Sequence, residues 1–421
     1  MPTEMRFLRD LEIRGLINQK TPDITDLRLQ ETRSPLYVGF DPSAPSLHAG
    51  SLIPLLSMDR YRRQGGQVIT LFGGATGLIG DPSGKDEERQ LESEETVRER
   101  VNSLQNQVRE FFQRTDGPQP IFCNNINWYQ GMALLTFLRD IGKSFSVNQM
   151  LARESIRSRI EDRSQGISYT EFSYALLQAY DYLYLFEHHG CRLQMGASDQ
   201  WGNICSGIDL IRRNHAVSVD GLTLPLLTNA AGKKYGKSEK GAVWLDPNMT
   251  TPFHFYQFWL GTDDKDVERF LMWLTDYSID EIRAWATTFS SETRELQRRL
   301  ALWLTARVHG EAVADMARRA SEAMFYGTVE QLDAEVVEML IKAVPSLRLD
   351  RNKEALAVDV LIKLGGAKSK GEVRRLIAQG GLSANSTTIS DALTDLRKFS
   401  KNGSAVIVSK GKSSKFLIVF E

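Results

Sequence analysis

The sequence has 421 residues, 42% hydrophobic and 25% charged, which excludes a disordered chain and predicts a globular protein of about three domains. No run approaches the roughly 18 apolar residues of a membrane span, and the N-terminus has no signal-peptide pattern, so we expect a cytoplasmic protein with no membrane partner. The three cysteines lack the paired spacing of a disulfide frame or a zinc knuckle, and the formal net charge of −1 is uninformative until it is divided along the chain.

The first third of the chain alternates strand and helix patterns. Leu36–Phe40 is a short apolar run that predicts a buried strand, and residues 67–72 form a second, β-branched run. Between them, apolar residues recur at near-helical spacing over residues 47–63, and two glycines at 65 and 66 are a stop signal. Strand, helix and strand with short links predict a right-handed βαβ unit and a parallel sheet, whose ligands bind beyond the carboxyl ends of its strands.

The turn behind the first strand carries groups suited to a nucleotide. Residues 39–51 deliver His48 to the start of the predicted helix, where backbone N–H groups and the helix dipole favour phosphate. Gly50 would let a flat base or a ribose approach the backbone closely. A histidine at a helix start is also common as a structural cap or a surface residue, so both interpretations stay open.

A glycine-rich segment, residues 73–85, follows the second strand. Its glycines have the spacing G-x-x-G-x-x-G, which differs from the G-x-G-x-x-G of dinucleotide-binding folds, and no phosphate-loop pattern passes through Lys85. The segment is therefore either a nucleotide-binding loop without a standard label or a tight structural turn.

A third segment, residues 232–238, misses the phosphate-loop pattern by one residue because Gly232 lies too close to the lysines that follow. Lys234, Lys237 and Ser238 could clamp a triphosphate through charge and hydroxyl contacts. An exposed basic loop would have the same composition.

The pattern then changes to helices rich in aromatic and charged residues, from residue 250 to about residue 323, which predicts a helical second domain. Residues 351–421 hold 13 Lys and Arg against 6 Asp and Glu, whereas residues 1–350 hold 39 against 47. A tail of +7 on a body of −8 is typical of a polyanion binder, although a solvated lysine-rich surface would give the same count.

The order of these segments resembles the class I aminoacyl-tRNA synthetases. Residues 47–51, Leu-His-Ala-Gly-Ser, resemble the HIGH signature, and residues 234–238, Lys-Tyr-Gly-Lys-Ser, resemble the KMSKS signature. Residues 37–42, 73–85, 169–181 and 198–203 resemble the tyrosyl member, so the similarity covers essentially the whole chain. Residues 364–377 resemble an S4-type RNA-binding motif.

This resemblance implies an α/β fold class with three domains. A Rossmann-like parallel-sheet catalytic domain would occupy residues 1–245, an α-helical anticodon-binding domain 246–325, a linker 326–350, and a small α+β S4-like RNA-binding domain 351–421. Residues from about 125 to 165 resemble the insertion through which the family forms homodimers, although their apolar content equally suits a plain core. The S4-like motif implies RNA-binding residues at Lys368, Lys370, Arg374 and Arg375.

The implied reaction joins L-tyrosine to ATP as tyrosyl-adenylate, with release of pyrophosphate, and then transfers tyrosine to the 3′-terminal adenosine of tRNA(Tyr). The implied tyrosine-binding residues are Tyr37 and Asp181 at the phenol, Asp81, Tyr174 and Gln178 at the ammonium, and Gln200 at the carboxylate. The implied ATP-binding residues are Gly39, Asp41, Ser43, His48, Ser51, Asp199 and Lys237.

The chemistry itself needs little from the protein. A carboxylate is already an adequate nucleophile, so catalysis reduces to positioning and charge stabilisation. The resemblance assigns this work to His48, Lys85, Arg89, Lys234, Lys237 and Ser238. Mg²⁺ is expected to arrive with ATP, with no metal held by the protein alone. Two departures are Ser51, in place of the second HIGH histidine, and Ala197, where the family usually has glycine.

Three alternative functions stay open on the sequence. The chain could be an RNA-binding or splicing-type scaffold that keeps a synthetase fold, although its active-site pattern is intact. A generic nucleotide hydrolase is disfavoured by the failed phosphate-loop match and by the lack of an obvious water-activating acid. The tryptophanyl synthetase is the nearest rival within the class, and the pairing of Tyr37 with Asp181 favours a phenol over an indole.

Overall fold

The computed structural model describes residues 6–82, 91–151, 156–157, 160, 166–238, 241–289, 294–326, 333–400, 405–411 and 414–421. The chain divides into two compact units. The first combines residues 1–246 with 264–291, and the second combines residues 247–263 with 292–421. No helix in the described ranges is both long enough and apolar enough to cross a membrane.

A six-stranded sheet organises the first unit. The neighbours β2 to β6 run parallel, whereas β1 pairs antiparallel with β6. The predicted parallel sheet is therefore confirmed, as is the βαβ unit formed by β2, the helix Leu52–Arg63 and β3. The strands are β1 Gln19–Lys20, β2 Leu36–Phe40, β3 Val68–Phe72, β4 Ile121–Asn124, β5 Leu193–Ala197 and β6 Asp220–Leu224, in the spatial order β1-β6-β5-β2-β3-β4.

Most helices of this unit connect its strands, and two further helices lie after residue 263 in the chain. Short helical turns at Ala49–Ser51 and Ser198–Gln200 directly follow the loops behind β2 and β5. A small hairpin of β7 Lys237–Ser238 and β8 Gly241–Ala242 lies beyond β6 in the chain. The helices are Phe7–Ile13, Asp26–Thr32, Leu52–Arg63, Thr76–Ile79, Glu94–Gln113, Ile126–Tyr129, Leu134–Thr136, Val147–Leu151, Tyr169–His189, Trp201–His215, Asp264–Leu274 and Ile279–Thr288.

From the central strand β2, the chain builds the sheet first on one side and later on the other. It proceeds outward through β3 and β4 on one side, and it later returns to add β5 and β6 on the other side. The loops behind β2 and β5 therefore diverge and leave a crevice between the carboxyl ends of these strands. This crevice is where a parallel sheet of this order binds its ligands.

The second unit contains a five-stranded sheet in the order β11-β10-β12-β13-β9. Neighbouring residues of β12 and β13 join different apolar clusters, Val408 and Phe416 on one face and Ile407 and Leu417 on the other. Both faces of the sheet are therefore buried. The strands are β9 Ser346–Leu349, β10 Leu382–Ala384, β11 Thr387–Thr388, β12 Ala405–Lys410 and β13 Ser414–Phe420; the helices are Pro252–Leu260, Arg294–His309, Glu311–Tyr326, Ala334–Ala343, Ala357–Lys363 and Lys370–Ala378.

The division of the chain differs from the expected boundaries in the helical region. The helices Asp264–Leu274 and Ile279–Thr288 were expected in the second domain, yet they belong to the first unit. The buried Arg60 supplies a physical reason, because its guanidinium donates to the carbonyls of Trp273 and Thr275 at the end of the first of these helices. A cation is favoured there by the helix dipole.

The expected linker, residues 326–350, also differs from the observed structure. It contains the helix Ala334–Ala343 and the strand β9. β9 pairs in parallel with β13 and forms an edge of the C-terminal sheet, so a boundary at residue 350 would cut through that sheet. The anticodon-binding and S4-like assignments of this region stay predictions.

Candidate active site

A cavity of about 660 Å³ opens in the crevice between β2 and β5. The ends of both strands, the helix Tyr169–His189 and the segments around residues 41–51 and 224–244 line it. Most of the site residues expected from the sequence meet here. They are Tyr37, Gly39, Asp41, Ser43, His48, Ser51, Asp81, Tyr174, Gln178, Asp181, Asp199, Gln200 and Lys234.

The structure does not describe the side chains of four expected catalytic residues. Lys85 and Arg89 lie outside the described residues. For Lys237 and Ser238, the backbone forms β7, and the side chains lie outside the description. The roles of these four residues stay predictions from the sequence.

Asp181 marks the buried end of the cavity, with 2% of its surface exposed. Asn125 donates to one carboxylate oxygen at 3.1 Å, and the Trp128 indole donates to the other at 2.9 Å. Burial raises the pKa of Asp181 to about 7, and these two donors oppose the shift. Each oxygen accepts one of these bonds and has a further lone pair, so the carboxyl can bond to a ligand as well.

Tyr37 shares this end of the cavity and is 1% exposed. Its ring packs edge-on against Tyr182, with 5.3 Å between the ring centroids. Within the described residues, its hydroxyl has no hydrogen-bond partner, and neither has the Oε1 atom of the buried Gln194 on the same wall. Burial, followed by the charge of Asp181, holds the pKa of Tyr37 well above its usual value, so the phenol stays protonated.

A chain of hydrogen bonds connects the two expected substrate sites. The Tyr174 hydroxyl donates to Asp41 Oδ2 at 2.7 Å, and Thr76 donates to the other oxygen at 2.8 Å. Asn125 then donates to Thr76 at 3.0 Å as well as to Asp181. A Cβ atom at Gly73 would lie 2.0 Å from Asp41 Oδ1, so a glycine is required beside this network.

A second polar group lies between Asp81 and the turn behind β5. Gln200 donates to Asp81 at 2.8 Å, and Asn203 donates to Gln200 at 3.3 Å. Burial and the nearby Asp81 charge raise the pKa of Asp199, whereas Lys234 opposes the shift. Carboxylates and amides are therefore concentrated at the middle of the cavity, which suits an ammonium group or ribose hydroxyls.

His48 lies at the outer, exposed end of the cavity. Its Nδ1 atom accepts a hydrogen bond from the Gly50 N–H at 3.0 Å and caps the turn Ala49–Ser51. A neutral imidazole that accepts at Nδ1 carries its proton on Nε2, which can donate to an anion. A Cβ atom at Gly50 would lie 2.8 Å from His48 Cε1, so this glycine makes room for the imidazole.

The two signature segments are joined by backbone hydrogen bonds. The Ala49 N–H donates to Val243 O at 2.8 Å, and the Leu245 N–H donates to Leu47 O at 2.9 Å. The Val243 N–H in turn donates to Gly236 O at 2.8 Å. The His48 turn and the lysine loop therefore share one backbone frame.

The helix Asp264–Leu274 holds the other side of the lysine loop. Its buried Asp266 accepts a hydrogen bond from the Ala230 N–H at 3.1 Å and pairs with Arg269. Arg269 donates to Thr228 O at 2.7 Å. Since Thr228 and Ala230 precede Lys234 by a few residues, this pair fixes the base of the loop that presents the lysine to the cavity.

The glycine-rich segment has a structural role within its described part. The Gly74 N–H donates to Asn124 at 3.1 Å, and the Ala75 N–H donates to Asn125 at 2.7 Å. These two backbone donors are therefore already bonded to side chains at the end of β4 and directly after it. The segment builds the wall that carries Thr76 and Asp81.

Sequence reasoning missed Thr76, Asn125 and Trp128. Thr76 lies in a segment that was singled out for its glycines, and Trp128 was interpreted as part of an apolar insertion. Asn125 and Trp128 reach Asp181 from 56 and 53 residues away in the chain. Only Thr76 had a local signal, because it is a polar residue shortly behind the predicted strand of residues 67–72.

The expected RNA-binding residues lie in the second unit. Lys368, Lys370, Arg374 and Arg375 are exposed on the helix Lys370–Ala378 and the turn before it. Lys370 forms an ion pair with Asp359 at 3.0 Å. The cluster is a basic surface of the kind that binds phosphates, and its role stays a prediction.

Known proteins with the same pattern are numerous. Residues 29–326 match the family model of class I tRNA synthetases (W and Y). The tyrosine–tRNA ligase of Roseiflexus castenholzii is 45% identical over 421 residues, 98% of this chain and 99% of the relative. That of Bacillus velezensis is 43% identical over 423 residues, with coverage of 98% and 99%.

A solved structure supports the same grouping. The C-terminally truncated mitochondrial tyrosyl-tRNA synthetase of Aspergillus nidulans has a TM-score of 0.67 and 30% identity. The match covers 76% of this chain and 94% of that structure. The chain belongs to the tyrosine–tRNA ligases, within the class I tRNA synthetases.

Proposed function

We propose that this aminoacyl-tRNA ligase binds L-tyrosine with its phenol at Tyr37 and Asp181, joins it to ATP, and transfers it to the 3′-terminal adenosine of tRNA(Tyr). The buried end of the cavity carries the proposal, because the Tyr37 hydroxyl has no partner there within the described residues. A substrate phenol would bond to both side chains. A phenylalanine ring would leave the Tyr37 hydroxyl unpartnered, at a cost of about 1–3 kcal/mol for that buried polar group, and would offer Asp181 no further donor.

The amino-acid end of tyrosine would lie toward the middle of the cavity. Asp81, Tyr174 and Gln178 would surround its ammonium, and Gln200, which bonds to Asp81, would orient its carboxylate. This direction brings the carboxylate toward the outer end, where ATP would bind along Gly39, Asp41, Ser43 and Asp199.

The reacting phosphates would then lie between the His48 turn and the lysine loop. The tyrosine carboxylate attacks the α-phosphorus in line, and pyrophosphate leaves. His48 Nε2 and Lys234 would stabilise the charge that develops on the phosphate oxygens, together with Lys85, Arg89, Lys237 and Ser238. Mg²⁺ would enter with ATP and would supply positive charge to the phosphates. Ser51 is too short to add the contact of a second histidine.

The tRNA and a second copy of the chain are the expected macromolecular partners. The exposed Lys368, Lys370, Arg374 and Arg375 would bind tRNA phosphates. For the homodimer, the support is a set of exposed apolar side chains in the predicted insertion: Leu134, Leu135, Leu138, Val147, Leu151 and Ile160. Exposed apolar side chains in such number within one segment are candidates for an interface. Sedimentation should give a dimer at micromolar concentration, and a stable monomer would refute this part.

The proposed reaction is tested by exchange of labelled pyrophosphate into ATP, which needs no tRNA. Tyrosine should support exchange, whereas phenylalanine and tryptophan at the same concentration should not. Exchange driven equally well by tryptophan would favour the rival substrate, and no exchange with any aromatic amino acid would favour a scaffold without catalysis.

A further inference from the structure

The helix Glu94–Gln113 presents two different faces to the first unit. Its apolar residues, including Val101, Leu104 and Val108, are buried in the core. Three polar side chains, Arg100, Ser103 and Gln107, lie on one other face because they are spaced by three and four residues. All three contact the loop of residues 42–47, which follows β2 and ends at His48.

The contacts of this face go to the loop backbone. Ser103 donates to Pro45 O at 2.7 Å, and Arg100 reaches the carbonyls of Pro42 and Ser43, each at 3.5 Å. Gln107 accepts a hydrogen bond from the Leu47 N–H at 2.8 Å. A single helix face therefore bonds to backbone groups at several positions along the loop, residues 42, 43, 45 and 47.

Gln107 also holds the side chain of the residue before Leu47. Its amide donates to Ser46 Oγ at 3.1 Å. The Ser46 hydroxyl donates to Leu47 O at 2.7 Å and accepts from the Asp246 N–H at 3.1 Å. Ser46 is 4% exposed, so these bonds form in a buried setting where they fix geometry strongly.

We propose that Gln107 is a positioning residue for His48, and that Arg100, Ser103 and Gln107 form a brace that sets the loop of residues 42–47 for the reaction. Gln107 does not line the cavity, whereas Ser43 and His48 do. The side chains of Ser43 and His48 are exposed, and His48 is bonded to the backbone N–H of Gly50, so the positions of both depend on the loop backbone that the brace holds.

A misplaced donor has a specific kinetic consequence. Shifts of about 1 Å in a group that stabilises the transition state can cost roughly 100-fold in rate, while substrate binding elsewhere is unchanged. Loss of the Gln107 contacts should therefore slow adenylate formation and leave tyrosine affinity intact, because the phenol end of the cavity lies on other elements. This inference rests on the proposed function, since His48 must act on ATP.

The test compares Gln107→Met, Gln107→Glu and the control Asn102→Met, which alters an exposed residue of the same helix. The rate of adenylate formation is measured with the full-length enzyme by quenched flow, and the tyrosine Kd by equilibrium dialysis. Gln107→Met should lower the rate roughly 10-fold with an unchanged Kd. Gln107→Glu keeps the acceptor for Leu47 and should recover part of the rate, while Asn102→Met should match the wild type.

A double variant separates positioning from general damage. If Gln107 acts through His48, then Gln107→Met should change the rate less than about 2-fold in a His48→Ala background. Independent, multiplicative losses would overturn the inference, and so would equal losses in rate and tyrosine affinity. If Gln107→Met does not fold, Ser103→Ala removes one bond of the brace and should lower the rate about 2-fold to 5-fold, and a wild-type rate for it would overturn the brace.

Measurements on the wild-type enzyme distinguish failure of this inference from failure of the proposed function. Tyrosine-dependent exchange by the wild type, together with a wild-type rate for Gln107→Met, would reject the brace alone. A wild type that shows no exchange would reject the proposed function and this inference with it.

Discussion

The two ends of the cavity are built in different ways. At the inner end, Tyr37 and Asp181 are almost fully buried, and neighbouring side chains such as Trp128 fix their positions. At the outer end, Ser43, His48 and Lys234 are exposed, and hydrogen bonds to the backbone hold the loops that carry them. The inner end is suited to selecting a substrate, because unpartnered buried groups penalise the wrong ligand. The outer end is suited to charge stabilisation on a nucleotide.

The largest effect is expected from removal of Lys234, the lysine at the outer end of the cavity. Lys234→Ala removes a cation that would stabilise the phosphate charge in the transition state, and adenylate formation should slow by about 100-fold. The tyrosine Kd should stay within about 2-fold of the wild type, because the phenol end is untouched. Stopped-flow fluorescence and equilibrium dialysis measure the two quantities. Lys233→Ala is the matched control, and comparable losses from both variants would contradict a specific role for Lys234.

Removal of the buried Asp181 carboxyl should instead impair substrate selection at the inner end of the cavity. Asp181→Ala should reduce the preference for tyrosine over phenylalanine by about 10-fold to 100-fold, since a hydrogen bond to a carboxylate contributes about 1.5–3 kcal/mol. The ratio of kcat/KM values in pyrophosphate exchange measures it. Asp220→Ala, a change to a buried acid that does not line the cavity, controls for loss of packing. Unchanged discrimination in Asp181→Ala would remove this residue from the phenol site.

A smaller effect is expected from a change at the base of the loop that carries Lys234. Asp266→Asn keeps one acceptor but cannot bond to both the Ala230 N–H and Arg269, so the loop that carries Lys234 should loosen. Adenylate formation should slow by roughly 5-fold to 10-fold, with unchanged tyrosine affinity. Glu268→Gln removes the same charge from the same helix and should have little effect. A loss of tyrosine affinity equal to the loss of rate would show that Asp266 supports the fold in general.

The smallest expected effect is a pH-dependent change in stability that comes from Asp181 at the buried end of the cavity. The pKa of Asp181 is about 7 in the folded chain against an ordinary value of 3.8, so its proton is bound more tightly on folding. The contribution of Asp181 to stability should therefore be lost as pH rises from about 4 to about 7. Asp181→Asn lacks this titration. The Tm of the wild type relative to this variant should fall by a few °C between pH 5 and pH 8.

The control for this pH dependence is a substitution of an exposed residue at the outer end of the cavity. Ser43→Ala should show no change in the pH dependence of Tm relative to the wild type, because it removes no titrating group. A wild-type Tm that runs parallel to that of Asp181→Asn at every pH would contradict a raised pKa at Asp181.

The sequence predicted the parts of this molecule that are coded locally. The strands Leu36–Phe40 and Val68–Phe72 are continuous apolar runs, and the helix between them has a regular apolar spacing and a glycine stop. The segments at His48 and Lys234 were found because each has an unusual local composition. Their meeting in one cavity followed from the family resemblance and from the rule on strand ends.

The remainder depends on contacts between distant residues, which local patterns do not carry. Trp128 reaches Asp181 across 53 residues, and Arg60 reaches Trp273 across 213 residues. The first contact was missed in the site, and the second explains why two helices join a unit that the composition did not predict. A change in composition marks where helices become common, but burial of a charge such as Arg60 decides where they pack.

A crystal structure of the protein with tyrosine and a non-hydrolysable ATP analogue would test the account most directly. We expect the phenol oxygen within hydrogen-bonding distance of Tyr37 Oη and an Asp181 oxygen, with the α-phosphate beside His48. A tyrosine bound in the reverse direction, with its phenol toward His48 and its carboxylate at Asp181, would contradict the proposed division between the two ends of the cavity.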